Sequence, residues 1–327
     1  MLIPILLFVL GLICLIKGGD WFVDGATGIA KRFNVPDLLI GATVVSIGTT
    51  LPEVMVSSTS AVEGISSIAY GNAIGSIICN TSLILALTVA IAPAVADRSS
   101  LVLPVIFFFT SAVFYAGIAY TSGNFTRVSG ILLLLIFAVY MFILIKKAVK
   151  ESKLSVSNPS ENQTEEGKKE RSLFVEIVFL VIGAALIAVG AKLLVDNGTI
   201  IAKEMGVPET VIALTFVALG TSLPELVTAI VSLVKGHGAL SLGNIIGANI
   251  FNLVLVSGMA ITLRPFSIPS EKQIAGMNAS LVVDVPMMFL VMILATIPTL
   301  LTGKLKRYQG ILLLALYAGY CAFQFIN

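Results

Sequence analysis

The chain has 327 residues, 57% of them hydrophobic and only 12% charged, with a mean hydropathy of +1.03. That composition excludes an ordinary soluble domain. It specifies an all-α integral membrane protein whose main partner is the lipid bilayer; no nucleic-acid partner and no obligate protein partner are expected.

Apolar runs near the ~20 residues needed to cross a bilayer recur along the chain, at about 2–30, 38–62, 70–94, 101–121, 128–146, 172–203, 210–234, 240–262, 284–302 and 308–326. These predict ten transmembrane helices; barrel strands are excluded because the runs do not alternate polar and apolar residues. The first run has no basic leader and contains Lys17-Gly18-Gly19-Asp20 rather than a small-x-small cleavage site, so it reads as a retained helix. Cys14, Cys79 and Cys321 lie in separate spans without paired spacing and read as buried hydrophobes.

Between the fifth and sixth runs stands the one substantial polar segment, about 147–171, mixed in charge and without apolar periodicity. It divides the chain into an N-terminal five-helix repeat at 1–146, a linker, and a C-terminal five-helix repeat at 172–327. Lysine and arginine concentrate in cytoplasmic loops. With the N-terminus outside, the inner loops carry Lys31, Arg32, Arg98, the 146–171 cluster, Lys235, Lys304, Lys306 and Arg307, and the outer loops only Arg127, Lys203, Arg264 and Lys272. The linker is thus expected in the cytoplasm, both termini outside, and the protein in the plasma (inner) membrane. The sequon at Asn162 then lies on the wrong side for glycosylation.

The halves repeat each other. A constant shift of 172 residues (225 minus 53) superimposes "GTTLPE" at 48–53 on "GTSLPE" at 220–225, and "GNAIGSIICN" at 71–80 on "GNIIGANIFN" at 243–252. Val35-Pro36-Asp37 falls on Val207-Pro208-Glu209 without a gap. An odd number of spans per half makes the repeats inverted, the arrangement by which many secondary transporters alternate access, with the site where broken helices meet at the midplane.

Glu53 and Glu225 stand near the middle of the second and seventh spans, each behind a Gly-x-x-x-Pro interruption. Proline is expected to break each helix and free carbonyls near 46–48 and 218–220, tolerable at membrane depth only where protein, water or an ion satisfies them. Around each carboxylate gather hydroxyls (Thr49 and Thr50; Thr221 and Ser222) and, from the next span, Ser76 and Asn80 or Asn252, with Asn72 and Asn244 nearby. Hydroxyl, amide, carbonyl and carboxylate oxygens suit hard cations such as Ca²⁺ and Na⁺, not zinc or copper. Two glutamates facing one cavity repel unless cations neutralise them, and an intramembrane charge is costly. One Ca²⁺ or a set of Na⁺ ions or protons would serve, each set excluding the other.

At these motifs the chain resembles the cation/calcium exchanger superfamily, in its sodium/calcium exchanger branch; the resemblance covers both halves and leaves out the linker. It implies a secondary antiporter, not an enzyme, that needs no cofactor and exchanges about three Na⁺ for one Ca²⁺, moving net charge. It implies a Ca²⁺ site (the metal ligands being Glu53 and Glu225) completed by Thr49 and Thr221. It implies Na⁺ sites at Ser46 (carbonyl), Thr50, Glu53, Ser76, Asn80, Ala218 (carbonyl), Thr221, Ser222, Glu225 and Asn252. Proton-coupled relatives usually carry Gly-Asn-x-x-Glu where this chain has Gly-Thr-x-x-Pro-Glu, which favours Na⁺; the alternative is a H⁺/Ca²⁺ antiporter using the same glutamates. Ala248 falls where Ser76 would repeat, so one Na⁺ site lacks a hydroxyl, and Asn252 replaces the acidic residue of potassium-dependent relatives.

Other polar residues stay open. Asp24 and Asp196 match under the shift and either line an ion entrance or hydrate helix ends; Lys17 and Lys192 can snorkel; His237 lies in a short inner loop; Trp21 is an interface or packing aromatic. The long first and sixth spans are expected to slide or rock against the rest.

Overall fold

The computed structural model describes residues 2–95, 97–157, 171–206, 220–269, 273–274 and 276–326; Asn162, most of the expected linker, and Ala218 lie outside them. The helices, in chain order, are α1 (Leu2–Arg32), α2 (Asp37–Glu63), α3 (Ser66–Ile91), α4 (Arg98–Thr121), α5 (Arg127–Ser157), α6 (Leu173–Glu204), α7 (Leu223–Val234), α8 (Gly238–Leu263), α9 (Ser280–Thr302) and α10 (Arg307–Ile326). Among the described residues, eight helical segments are long and apolar enough to cross a bilayer, and α7 is a shorter apolar helix. Their outward faces carry large hydrophobics such as Ile13, Val113, Leu135 and Phe142, as a lipid-facing surface requires. α5 continues beyond residue 146 to Ser157: the stretch Lys147 to Ser157 is polar, but Ala, Glu, Lys and Leu are good helix formers.

α3 and α8 lie at the centre, with 72% and 83% of their apolar windows buried against 22% for α1 and α6. The main core packs Phe108 and Tyr115 of α4, Tyr140 of α5, Phe251 of α8 and Met288 and Met292 of α9 around them. A second, smaller core holds Leu15, Phe22, Val23 and Ala26 of α1 with Ile187 and Ala191 of α6. α1 and α6 run antiparallel: a Cβ on Gly11 would meet the Gly190 backbone at 2.9 Å, one on Gly18 the Ile187 backbone at 2.9 Å, and one on Gly25 the Glu176 and Leu180 backbones at 2.6 Å. In lipid, where burial of apolar surface drives no helix association, such close backbone approach through glycine is what gives the pair its dispersion contacts.

Three two-residue ladders tie loops together: β1 (Ala94–Val95) with β6 (Lys304–Leu305), β2 (Asn124–Phe125) with β3 (Phe266–Ser267), and β4 (Gln273–Ile274) with β5 (Met277–Asn278), all antiparallel. The first two each join one half to the other. Packing repeats in the same crossed manner: Gly130 of α5 lies against Gly258 and Thr262 of α8, and Gly310 of α10 against Ala86 and Ala90 of α3.

Regular helix gives way to π-helical turns at Gly41–Val45 in α2, Asn80–Leu85 in α3, Asn252–Val256 in α8 and Ser280–Asp284 in α9. A π turn inserts one residue and shifts the hydrogen-bond register, a feature concentrated at functional sites. Two of the four open on Asn80 and Asn252.

The α1–α6 contact can be tested through one glycine. A Cβ on Gly183 would lie 2.5 Å from the Phe22 amide nitrogen, so Gly183→Val should destabilise the detergent-solubilised protein by about 1–3 kcal/mol through overpacking. Gly117→Val, at a position with open space, should leave the thermal unfolding midpoint near the wild-type value in the same scan.

Candidate functional site: a buried glutamate pair

The two Gly-x-x-x-Pro motifs do not behave alike. In α2 the helix runs unbroken from Ser46 to Glu63 with Pro52 inside it, which corrects the expected break. Pro52 still removes the donor that would serve the Gly48 carbonyl, but the chain keeps its helical course, and the register change falls one turn earlier, at Gly41–Val45. In the second half the interruption is present: Thr221 and Ser222 form a turn, and α7 opens at Leu223 with Pro224 in its first turn, where a missing N–H costs nothing. Glu225 therefore sits in the first turn of a helix, where the macrodipole favours negative charge.

Glu53 and Glu225 are both fully buried, and neither carboxyl accepts a hydrogen bond from the described protein. They lie close enough to interact electrostatically, and Thr49 stands beside the Glu225 carboxyl. Thr50 Oγ1, Ser222 Oγ and both side-chain polar atoms of Asn80 and Asn252 are likewise buried without a hydrogen-bond partner. Leaving one such group unpaired costs about 1–3 kcal/mol, and more when it is charged. Thr50 and Ser222 stand three residues before Glu53 and Glu225 in the chain, and such groups left without a partner among the described residues point to a site whose partners are not side chains of these helices. Among the described residues no three His, Cys, Asp or Glu side chains gather. The donors are nearly all oxygens, and 6–8 of them at 2.3–2.6 Å is what a Ca²⁺ ion takes.

Ser46 and Ser76, also expected as ligands, lie in α2 and α3. Ser46 is buried, but its hydroxyl donates to the Gly41 carbonyl at 2.7 Å and the Asn244 carbonyl at 2.9 Å; its own carbonyl faces Thr49 Oγ1 at 3.5 Å. Ser76 is buried in α3 one turn before Asn80. Ala248, its counterpart in α8, is wholly enclosed and brings no hydroxyl.

Asn72 and Asn244 take a larger part than their sequence positions indicate. Thr49 Oγ1 donates to Asn244 Oδ1 at 3.2 Å, and Thr221 Oγ1 donates to Asn72 Oδ1 at 3.2 Å: each asparagine holds the threonine of the other half. Asn72 also donates to the Glu53 carbonyl at 3.1 Å and to Ser57 Oγ at 2.8 Å, whereas Asn244 Nδ2 has no partner. Because each threonine spends its proton on an asparagine, its oxygen lone pairs remain to face a cation. The paired GN motifs carried the signal; the crossing did not show in a one-dimensional reading.

Beside the pair, a cavity of about 870 Å³ is bounded by α1, α2, α6 and α7; its lining includes Gly48, Pro52, Gly220 and Pro224 of the motifs together with Lys192 and Asp196. Asp196 thus borders an opening, while Asp24 is held by Lys235 at 2.7 Å and Arg171 at 3.6 Å. His237 Nδ1 lies 2.8 Å from Asp37 Oδ2.

The family model described as sodium/calcium exchanger protein matches residues 3–146 and 175–326. An uncharacterized membrane protein of Methanocaldococcus jannaschii is 36% identical over 310 residues, covering 95% of this chain and 94% of that protein. The sodium/calcium exchanger MaX1 of Methanosarcina acetivorans is 30% identical over 352 residues, covering 96% of each. A solved structure of the sodium-calcium exchanger NCX_Mj, soaked with Na⁺ and Ca²⁺, superimposes with a TM-score of 0.80 at 33% identity and 98% coverage of both chains. In sequence and in fold alike, then, this chain belongs to the sodium/calcium exchanger family, a family of membrane transporters rather than enzymes.

Proposed function

We propose that the protein is a secondary antiporter that exchanges Na⁺ for Ca²⁺ by alternating access, and that Glu53 and Glu225 form its shared ion site. The observation that carries this reading is the buried pair of carboxyls without hydrogen-bond partners among the described residues, with Thr49, Thr221, Asn72 and Asn244 of the two halves bonded across beside them. One Ca²⁺ bound by Glu53 and Glu225, with Thr49 and Thr221, cancels both charges. Na⁺ ions at Ser46, Thr50, Ser76 and Asn80 on one side and Ala218, Ser222 and Asn252 on the other do the same and exclude Ca²⁺. A ratio of three Na⁺ to one Ca²⁺ makes the cycle electrogenic. The transported ions are substrate and no cofactor enters the cycle.

We read the architecture as ten transmembrane helices in two inverted five-helix repeats, 1–146 and 172–327, joined by a cytoplasmic linker. Support comes from the antiparallel packing of α1 and α6 and from contacts that recur in crossed pairs at matched positions. Both termini lie outside the plasma membrane in this reading. It is supported by contacts between residues that it assigns to one face: Arg32 with Glu176, Lys235 with Asp20, and β1 with β6 for the basic face, and β2 with β3 for the other. In this reading the glycine-packed α1–α6 pair is the body that moves, sliding over the apolar contacts it makes with α2, α7 and α8.

Proteoliposomes loaded with Na⁺ and diluted into Na⁺-free medium at clamped pH should take up ⁴⁵Ca²⁺, and a proton gradient alone should drive none. Uptake that follows the proton gradient and ignores Na⁺ would show the H⁺/Ca²⁺ antiporter instead. Glu53→Gln or Glu225→Gln should abolish uptake, since one carboxylate cannot balance a divalent cation in a low-dielectric site.

The crossed threonine bonds give a graded effect. Removing Asn244 lets the Thr49 hydroxyl turn back to a backbone carbonyl, so Asn244→Ala should weaken Ca²⁺ binding about 5- to 20-fold by isothermal titration, the loss of one to two kcal/mol typical of a buried hydrogen bond. Unchanged Ca²⁺ affinity would remove Thr49 from the ligand set.

A further inference from the structure

Each glutamate-bearing helix ends in a matched corner: Val62-Glu63-Gly64 closes α2 and Val234-Lys235-Gly236 closes α7. Both glycines are left-handed, with φ of 88° and 81°, so the residue before each occupies the same place at a helix end. The charge there is opposite. The α1–α6 pair carries the complementary change: under the same shift Asp20 of α1 falls on Lys192 of α6, and Asp24 on Asp196. Each end of the molecule therefore owns two carboxylates and one lysine. At one end the lysine belongs to the glutamate-bearing helix; at the other it belongs to the α1–α6 pair.

At the first end the three groups are joined. Lys235 Nζ lies 2.7 Å from Asp24 Oδ1 and 3.4 Å from Asp20 Oδ1, and donates to the Asp20 carbonyl at 2.8 Å; Arg171 adds a contact to Asp24 at 3.6 Å. Beside them Gly19 of α1 sits so close to α7 that a Cβ there would touch Val227 at 2.7 Å. At the second end the groups are parted. Among the described residues Lys192 pairs with Asp196, 3.2 Å away on its own helix, with both side chains exposed. Glu63 forms no ion pair with a described residue, and its neighbour Arg264 donates to the Val62 carbonyl at 2.9 Å. The 870 Å³ cavity opens beside Lys192 and Asp196.

We propose that these two triads are alternate latches: Lys235 with Asp20 and Asp24 holds one face shut, and Glu63 with Lys192 holds the opposite face shut once the α1–α6 pair has slid. They exclude each other because α1 and α6 are packed backbone to backbone, so any shift that withdraws Asp20 from Lys235 carries Lys192 along. Each triad joins one lysine to two carboxylates, and a partly exposed ion pair is worth little, so the triads bias the equilibrium only weakly and leave the choice of state to the ions. This inference rests on the alternating-access reading above.

The test uses the full chain in proteoliposomes, with Cys14, Cys79 and Cys321 replaced by alanine. A Glu63→Cys, Lys192→Cys pair treated with a short homobifunctional methanethiosulfonate should cross-link, and the cross-linked protein should stop exchanging until a reductant frees it. Adding Lys235→Gln or, separately, Asp20→Asn opens the other latch and should speed cross-linking about two- to five-fold, the population shift expected of a partly exposed ion pair. In the cysteine-containing protein E63K should slow exchange and E63K/K192E restore it. Absence of the cross-link, a rate indifferent to both added substitutions, or a double reversal no better than E63K overturns the latch. Na⁺-driven Ca²⁺ uptake by the unmodified protein separates the two readings. Uptake without a cross-link removes the latch alone; a cross-link that responds to Lys235→Gln without any uptake removes Na⁺/Ca²⁺ exchange and keeps the latch.

Discussion

Two carboxylates held together away from water, with no cation beside them among the described residues, set the terms for everything around them. Burying an unpaired charge costs several kcal/mol even after relaxation, and Glu53 and Glu225 also repel each other. A chain that meant only to fold would not keep them. Their surroundings are built to supply oxygen rather than positive charge: Thr50, Asn80, Ser222 and Asn252 present polar atoms that the protein leaves unanswered. In the exchange reading proposed above, a bound cation supplies the missing stability, and the site switches between two closed, neutral states.

The rest of the architecture lets such a centre exist. α3 and α8 are the most enclosed helices, and π turns at Asn80 and Asn252 alter the hydrogen-bond register where those side chains must face inward. The crossed bonds from Thr49 to Asn244 and from Thr221 to Asn72 make each half the scaffold of the other's ligands. α1 and α6 are packed to each other through glycine, and the smaller core they share reaches Ile40 and Val45 of α2 and Leu240 of α8, so the pair is seated against the frame through apolar contacts.

Much of this could be read from the sequence, and the limits have physical causes. That the chain is a helical membrane protein of the exchanger family was legible because hydropathy acts locally and because two copies of a motif reinforce each other. The course of α2 through Pro52 was not, since whether a proline breaks a helix depends on what the surrounding helices do with the freed carbonyl. The π turns left no mark in composition. α5 outlasts its apolar run because helix propensity, not hydropathy, governs residues 147–157. Asn72 and Asn244 were placed near the site, but their reach into the opposite half is a tertiary fact.

The two short ladders have a consequence of their own. β1 belongs to the first half and pairs with β6 of the second, while β2 of the first pairs with β3 of the second. Residue i touches j, and the equivalent of j touches the equivalent of i, which is the rule of an isologous dimer interface. Under the inverted-repeat architecture proposed above, the chain behaves as a dimer whose subunits are joined. A symmetric dimer must carry every substitution twice, once on each side of the bilayer. A joined one is free of that obligation, and in this reading Glu63 opposite Lys235, or Ser76 opposite Ala248, gives the two sides of one membrane different chemistry.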